Sequence, residues 1–245
     1  MFTLAYPSKL LHSMQSIHQR FRTSDEGAHC LLQSWTERNL PAETTHVFVR
    51  PDENTDPRTK RSNEFKLGRC VAESQLANLG HENPAGSIGV NDDRSPCWPV
   101  GFTGSISHSE RWLWASVCES KFIRSIGVDT EVIASADTRR QVQSEIADEK
   151  EWGLASQMGF DPETTFTIVF SAKEAFYKCL YPLDQNYFGF EDAKVTSVSG
   201  NRIRIQKCPG ATIETGQSIT DLEVSYYVAH NNVFTATWVR PDEIA

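Results

Sequence analysis

Two carboxylates stand two residues apart in the segment Ser125-Ile-Gly-Val-Asp-Thr-Glu131. The segment reads as a β-strand, on which Asp129 and Glu131 would project from the same face. Neighbouring carboxylates repel each other, and burial increases that cost. A divalent cation removes the conflict, and Mg²⁺ favours a few carboxylates together with phosphate oxygens. The segment alone therefore supports a magnesium–phosphate site and a solvated strand end about equally.

A second charged segment, Phe170-Ser-Ala-Lys-Glu-Ala-Phe-Tyr-Lys178, has helical spacing. Glu174 and Lys178 are four residues apart and can pair on one helix face. Ser171 and Glu174 also have the spacing of a capping box at a helix N-terminus. Taken alone, the segment favours this local interpretation. The functional alternative places Glu174 on a metal ion and Lys178 on a phosphate.

Small hydroxyl residues and a histidine occur together in Gly104-Ser-Ile-Ser-His-Ser109. Serine hydroxyls, backbone N–H groups and an imidazolium suit phosphate oxygens. A single histidine near a strand is more commonly a hydrogen-bonded structural residue, so both interpretations of His108 stay open. Ser107 and His108 are not expected to form a nucleophile pair, because adjacent residues of an extended chain face opposite ways.

The densest positive segment of the chain indicates either a solvated helix start or a polyphosphate site. Its basic residues are Arg58, Lys60, Arg61, Lys66 and Arg69. The 245 residues carry a net charge of −8, which argues against a general nucleic-acid binder. No stretch approaches the length of a transmembrane helix. Six scattered cysteines without a CxxC pair indicate reduced thiols and a cytoplasmic protein.

The elements that must position these residues indicate an α/β fold. Each half of the chain offers a strand, a helix and further strands, with a junction near residues 119–125. We therefore predict two domains, 1–122 and 123–245. The segments expected to be strands are 46–50, 112–117 and 125–132, followed by two C-terminal hairpins. The segments expected to be helices are 63–80, 137–158 and 170–180, and residues 81–101 read as a long loop.

Together these segments resemble the 4′-phosphopantetheinyl transferase superfamily, in particular its enterobactin/surfactin-type branch. The family pattern contains, in order, an (R)xxEFxxGR helix, RxPxWPxGxxGSISH, (I)GxDxE and FSxKEAxYK. This chain has Arg61–Arg69, Arg94–His108, Ile126–Glu131 and Phe170–Lys178 in that order. Each motif alone is weak, but four in the right order are specific. The match covers roughly residues 58–180.

The resemblance implies roles for the matching residues. Asp129, Glu131 and Glu174 would bind Mg²⁺. The phosphates of coenzyme A would be held by Ser107, His108, Arg69 and Lys178, with Arg61 near the nucleotide. Glu151 would be the general base, and Glu149 or a metal-bound water are the alternatives. Glu174 and Lys178 would also take part in catalysis.

The resemblance also implies the reaction and the architecture. The enzyme would transfer 4′-phosphopantetheine from coenzyme A to a serine of an acyl, peptidyl or aryl carrier protein and release 3′,5′-ADP. Siderophore or other non-ribosomal peptide biosynthesis is the expected pathway, and the expected protein is monomeric. Its active site would lie in the cleft between two similar α/β halves related by a pseudo-twofold axis. A magnesium-dependent phosphohydrolase and a non-catalytic coenzyme A-binding homologue are the alternatives.

Overall fold

Two antiparallel sheets lie edge to edge, and their adjoining strands carry Ser107, His108, Asp129 and Glu131. The computed structural model describes residues 26–49, 57–110, 112–212 and 218–244. The helices are α1 (Glu26–Asn39), α2 (Pro57–Asn78), α3 (Ala136–Ile146), α4 (Glu149–Ala155) and α5 (Pro162–Asp184). Short 3₁₀ turns occupy Ser156–Met158, Phe190–Asp192 and Pro241–Ile244.

The strands fall into a three-stranded sheet, a five-stranded sheet and a short hairpin. The bounds are β1 (Thr45–Val49), β2 (Gly89–Val90), β3 (Pro96–Cys97), β4 (Phe102–His108), β5 (Leu113–Glu119), β6 (Ser125–Val132), β7 (Ala193–Ser199), β8 (Arg202–Thr212), β9 (Ser218–Ala229) and β10 (Asn232–Val239). The first sheet has the order β1-β5-β4 and the second β6-β10-β9-β8-β7, while β2 and β3 pair within the long loop. Helices combined with these sheets confirm the predicted α/β class.

The two sheets meet along the edge strands β4 and β6. Serine hydroxyls of β4 join them: Ser105 Oγ accepts from Val128 N at 3.0 Å, and Ser107 Oγ accepts from Thr130 N at 3.3 Å. An apolar cluster that includes Trp114, Val128 and Phe234 also draws on both sheets. The predicted boundary falls in the turn between β5 and β6. The division into two domains and their pseudo-twofold relation stay predictions.

Helix α5 packs against β6 and β10 and brings charged residues to the sheet. Asp161 caps its N-terminus by accepting a hydrogen bond from Thr164 N, and Pro162 occupies the first turn. The helix therefore begins well before Phe170, and Ser171 lies in its interior. The predicted capping box between Ser171 and Glu174 is wrong, because Asp161 already supplies the cap.

Other helices also differ from the sequence prediction. Helix α2 begins at Pro57 rather than near Asn63, in a stretch that reads as turn-rich. The single helix expected over 137–158 is two helices, because Asp148 caps a new one after the extended Ala147. Helix α1 lies in a segment for which no element was predicted. Within the described ranges, no helix is both long and apolar enough to cross a bilayer.

Candidate active site

Asp129 is the centre of a buried hydrogen-bonded cluster, and only 2% of its surface is exposed. Its Oδ1 accepts from Ser107 Oγ and from Lys178 Nζ, each at 2.7 Å. Its Oδ2 accepts from Ser171 Oγ, also at 2.7 Å. Lys178 Nζ lies a further 3.1 Å from Ser107 Oγ. One carboxylate therefore joins strand β4, strand β6 and helix α5.

A close approach of helix α5 to strand β6 makes this cluster possible. A Cβ atom on Gly127 would lie 1.9 Å from the carbonyl oxygen of Ala175 and 2.7 Å from Cys179 N. Only glycine allows the two backbones to come this near. The hydroxyl of Ser125 strengthens the contact by donating to the Cys179 carbonyl at 2.6 Å. The glycine of the GxDxE motif thus sets where Asp129 meets the helix.

Two more carboxylates, those of Glu131 and Glu174, share the site, and the positive charge beside them does not balance their negative charge. Burial raises the pKa of Glu131 to about 8, and repulsion from Asp129 and Glu174 adds to the shift while Lys178 opposes it. Burial also raises the pKa of Glu174, with attraction to Lys178 opposing and Asp129 adding. Three carboxylates therefore face one ammonium group.

Lys178 is held charged by the same carboxylates. Burial alone would lower the pKa of its ammonium group, but attraction and hydrogen bonding to Asp129, followed by Glu174 and Glu131, outweigh it. The net effect is a raised pKa. Lys178 thus keeps its charge at neutral pH and can act as a phosphate-binding cation.

The donor chemistry of this cluster fits a hard divalent cation. Buried carboxylates whose pKa values rise through desolvation and mutual repulsion gain from a cation that neutralises them. Among the residues that the structure describes, however, no three Asp, Glu, His or Cys side chains already form a metal-binding group. The ammonium of Lys178 occupies Oδ1 of Asp129 instead.

The other residues predicted to bind phosphate lie around helix α2. Ser107 is buried and faces Asp129, whereas the side chain of His108 is 44% exposed, as alternation along a strand requires. His108 Nδ1 lies 3.6 Å from Glu64 Oε2 on helix α2. The guanidinium of Arg69 stacks 3.7 Å above the ring of Phe65, and its Nη2 reaches the Gly89 carbonyl at 3.5 Å. The side chain of Arg61 lies outside the described residues.

Glu151 is not among the groups that contact Asp129. It is buried, with only 2% of its surface exposed, although its neighbours Asp148, Glu149 and Lys150 are exposed. Its carboxylate lies 2.7 Å from Lys173 Nζ and accepts hydrogen bonds from the backbone N–H groups of Val195 and Asp148 at 2.9 and 3.0 Å. Glu149, the alternative base, is exposed at the start of helix α4. The structure therefore gives Glu151 a structural environment away from the cluster.

A cavity of about 150 Å³ opens beside the charged cluster. Its walls come from helix α5 and from the chain that follows it: Lys173, Glu174, Tyr177, Tyr187, Phe188, Gly189, Phe190 and Ala193. Glu174 belongs both to this lining and to the carboxylate cluster. The charged centre and a largely aromatic cavity are therefore adjacent.

Three residues of this region have roles that the sequence interpretation did not assign. Ser171 donates to Asp129, Gly127 sets the distance between helix and strand, and the side chain of Lys173 is completely buried. Ser171 and Gly127 stand within recognised motifs, so the motifs marked them as relevant. Their roles depend on how helix α5 packs on strand β6, which the spacing of residues does not determine.

Comparison with known families extends over most of the chain. Residues 53–118 match the 4′-phosphopantetheinyl transferase N-terminal domain. Residues 125–236 match the 4′-phosphopantetheinyl transferase superfamily. The first match contains the basic helix and the SISH segment, and the second contains both acidic motifs. All four motifs used above therefore lie inside the matched regions.

Individual proteins are similar over most of their own length. The 4′-phosphopantetheinyl transferase Npt of Nocardia iowensis is 30% identical over 186 residues, covering 72% of this chain and 82% of that protein. The transferase PptT of Mycobacterium tuberculosis is 32% identical over 189 residues, with 72% and 78% covered. Enterobactin synthase component D of Salmonella typhimurium is 30% identical over 176 residues, with 72% and 71% covered. The chain therefore belongs to the 4′-phosphopantetheinyl transferase superfamily, in the branch that includes enterobactin synthase component D, and is a transferase enzyme.

Proposed function

We propose that this enzyme transfers the 4′-phosphopantetheine group from coenzyme A to a serine of a carrier protein and releases 3′,5′-ADP. One observation carries the proposal: Glu174 belongs both to the buried carboxylate cluster and to the wall of the aromatic cavity. Coenzyme A has the matching layout, with a charged pyrophosphate directly attached to a long pantetheine arm. The reacting phosphorus would lie at the cluster and part of the arm in the cavity.

Asp129, Glu131 and Glu174 are the residues that would hold Mg²⁺. When bound, the cation would neutralise charge on the pyrophosphate and on the three carboxylates. The raised pKa values of Glu131 and Glu174 support this proposal, because buried carboxylates that repel one another gain from a cation that neutralises them.

Lys178 and Ser107 are placed to contact the phosphate oxygens. Both donate to Asp129 Oδ1, so their donors already converge on one point between the two sheets. Arg69 on helix α2, and His108, which lies 3.6 Å from Glu64 of the same helix, would bind the remaining phosphates, with Arg61 near the nucleotide. Fixed donors of this kind stabilise charge that develops during phosphoryl transfer.

The acceptor serine must lose its proton during the attack on phosphorus. Glu174, which borders both the cavity and the charged cluster, would receive it on a carboxylate oxygen that does not bind Mg²⁺. Lys178 opposes the developing negative charge on the phosphate. Glu151, the base implied by the family pattern, is already engaged by Lys173 and two backbone N–H groups.

The finer biological features belong to the same proposal. We propose a carrier domain of a siderophore or other non-ribosomal peptide synthetase as the acceptor, since two of the relatives above are a mycobacterial transferase and an enterobactin synthase component. A cytoplasmic, monomeric enzyme is part of this proposal. The thiols of Cys97, Cys118, Cys179 and Cys208 form no disulfide, which supports a reducing compartment.

Mass spectrometry of an apo-carrier protein tests the function directly. Incubation with this enzyme, coenzyme A and Mg²⁺ should add one phosphopantetheine to the carrier serine, and a chelator should stop the reaction. Release of 3′,5′-ADP without a carrier would identify a phosphohydrolase. Binding of coenzyme A without any turnover would identify a non-catalytic homologue. Either of these results would overturn the proposal.

A further inference from the structure

A second charged centre lies on another side of helix α5, and its lysine is completely buried. The side chain of Lys173 has no exposed surface, and its Nζ reaches Glu151 Oε1 at 2.7 Å. The same Nζ donates to the carbonyls of Ile146 at 2.7 Å and Phe190 at 3.1 Å. An ammonium group has three donors, so each N–H finds one acceptor.

Both carboxylate oxygens of Glu151 have hydrogen-bonding or ionic partners. Its Oε1 accepts from Val195 N at 2.9 Å as well as from Lys173. Its Oε2 accepts from Asp148 N at 3.0 Å and lies 3.4 Å from Lys194 Nζ. The pair therefore ties together the end of helix α3, the start of helix α4, helix α5, the turn at Phe190 and strand β7.

Several of the tied segments form one wall of the cavity. Lys173, Phe190 and Ala193 line it, and Glu174 follows Lys173 directly in the chain. Phe190 lies at the start of a short turn that leads into strand β7. The bond from Lys173 to the Phe190 carbonyl thus fixes the distance between helix α5 and the turn that begins at Phe190.

A buried ion pair contributes geometry more than stability. Taking both charges out of water offsets most of their attraction, so apolar residues of the same size would hold the fold about as well. Charge-assisted hydrogen bonds are, however, short and directional. The network around Lys173 therefore specifies where the cavity wall stands with a precision that apolar packing alone would lack.

We propose that Glu151 and Lys173 are positioning residues that set the cavity wall for the pantetheine arm of coenzyme A, and that Glu151 is not the base for the acceptor serine. This inference rests on the proposed function, because the arm is the ligand assigned to the cavity. Glu151 acts through Lys173, and Lys173 acts through the Phe190 carbonyl. Neither residue takes a proton from the substrate.

Two ligands separate this role from a general structural one. Coenzyme A carries the arm, whereas adenosine 3′-phosphate 5′-diphosphate carries the same phosphates and lacks it. Calorimetry with Lys173→Met should show coenzyme A affinity falling about tenfold, the loss of about 1.4 kcal/mol. Affinity for the armless nucleotide should stay within about twofold of wild type, because its phosphates lie at the other cluster.

Lys194→Ala is the matched control, because it removes a partner from the solvent side of the same Glu151 carboxylate and leaves Lys173 in place. It should bind both ligands as wild type does. Glu151→Gln should, like Lys173→Met, lower the affinity for coenzyme A and leave the affinity for the armless nucleotide unchanged. The double variant should lose no more than either single variant, since both changes break one connection. The double variant also buries no unpaired charge, which preserves folding where a single variant unfolds.

The pH profile of kcat distinguishes positioning from base catalysis. With Glu151→Gln, a positioning role keeps the acidic limb of the profile at its wild-type pH, whereas loss of the base would abolish that limb. The proposal is overturned if Glu151→Gln lowers kcat alone while coenzyme A binding stays normal. Equal losses for both ligands in the double variant would also overturn it. Wild-type transfer to a carrier protein, measured in parallel, tests the proposed function separately.

Discussion

Two buried charge clusters flank helix α5 and differ in how their charges are balanced. Around Asp129, three carboxylates face the single ammonium of Lys178, and the pKa values of Glu131 and Glu174 are raised. Around Lys173, one buried ammonium meets the carboxylate of Glu151 and two carbonyls, and its bonding capacity is filled. At about 100° per residue, Lys173 points roughly 140° around the helix axis from Lys178.

The difference indicates which cluster needs a ligand. A buried pair whose donors and acceptors are all used has nothing left to offer a substrate. An unbalanced cluster costs free energy until a cation or another partner arrives, and such clusters mark functional sites. The density of charged residues in the sequence does not distinguish the two clusters, since both segments are acidic. The number of hydrogen-bond and ionic partners available to each charge does distinguish them.

Asp129→Asn should break the unbalanced cluster with the largest effect on activity. The amide keeps the size but loses the charge that holds Lys178, so we expect transfer to fall by about 10³-fold. The melting temperature should fall too, because the buried Asp129 carboxylate, 2.7 Å from the Lys178 ammonium, would be lost together with its charge-assisted hydrogen bonds from Lys178, Ser107 and Ser171. Glu149→Gln, on the exposed start of helix α4, is the control and should be nearly silent. Near-normal transfer by Asp129→Asn, measured by carrier mass spectrometry, would show that Asp129 is not part of the active site.

Gly127→Ala should disturb the Asp129 cluster by moving helix α5 away from strand β6. The added methyl would lie 1.9 Å from the Ala175 carbonyl oxygen. We expect a loss of about 1–3 kcal/mol in the free energy of unfolding, together with slower transfer. Gly153→Ala is the opposite case, because a Cβ there meets nothing within 4 Å on helix α4. It should stabilise by about 0.5–1 kcal/mol in a denaturant titration. Equal effects of the two changes would refute the close-approach argument.

Glu131→Gln should relieve the imbalance and change how stability depends on pH. The pKa of Glu131 is raised from 4.5 to about 8 in the folded protein. Between these values the folded chain keeps a proton that the unfolded chain releases, so stability falls as pH rises through this window. In melting curves of metal-free protein at several pH values, the melting temperature of Glu131→Gln should fall less steeply with rising pH than that of wild type. The same slope in both proteins would count against the raised pKa.

Arg204→Ala should show how little a charge pair contributes when it is exposed. Arg204 meets Asp221 and Glu223 across strands β8 and β9, and its side chain is 48% exposed. Water and salt screen such pairs, so the expected loss is below about 1 kcal/mol and shrinks further at high salt. Chemical denaturation at low and high ionic strength checks this. A loss as large as that from Gly127→Ala would show that burial is not what distinguishes the clusters.

Much of the second half of the fold follows from local sequence patterns. Strand β6 has the predicted bounds, and both C-terminal hairpins form where turn residues separate alternating strands. Apolar periodicity does not by itself fix helix ends. Helix α5 starts at its Asp161 cap, nine residues before the Phe170 that opens the motif, and Asp148 divides a helix that the pattern left continuous.

The sequence predicts which residues form the site, but not which side chains contact each other. Asp129, Glu131, Glu174 and Lys178 come together as the motifs imply, although the roles of these residues stay proposals. The motifs could not show that Glu151 pairs with Lys173, because that contact depends on the angle between helices α4 and α5. The buried Lys173 had no signal apart from its place between Ala172 and Glu174 in a recognised motif.

The serine hydroxyls between strands β4 and β6 also determine how each half behaves without the other. Both strands stand at the outside of their sheets, and hydroxyls rather than a backbone ladder occupy the N–H groups of Val128 and Thr130. A bare strand of this kind is a template for self-association. Each half thus covers the edge strand of the other half and keeps it from pairing with a second molecule. We expect residues 1–122 and 123–245 to aggregate when produced separately and to stay dispersed when produced together; light scattering of both preparations checks this.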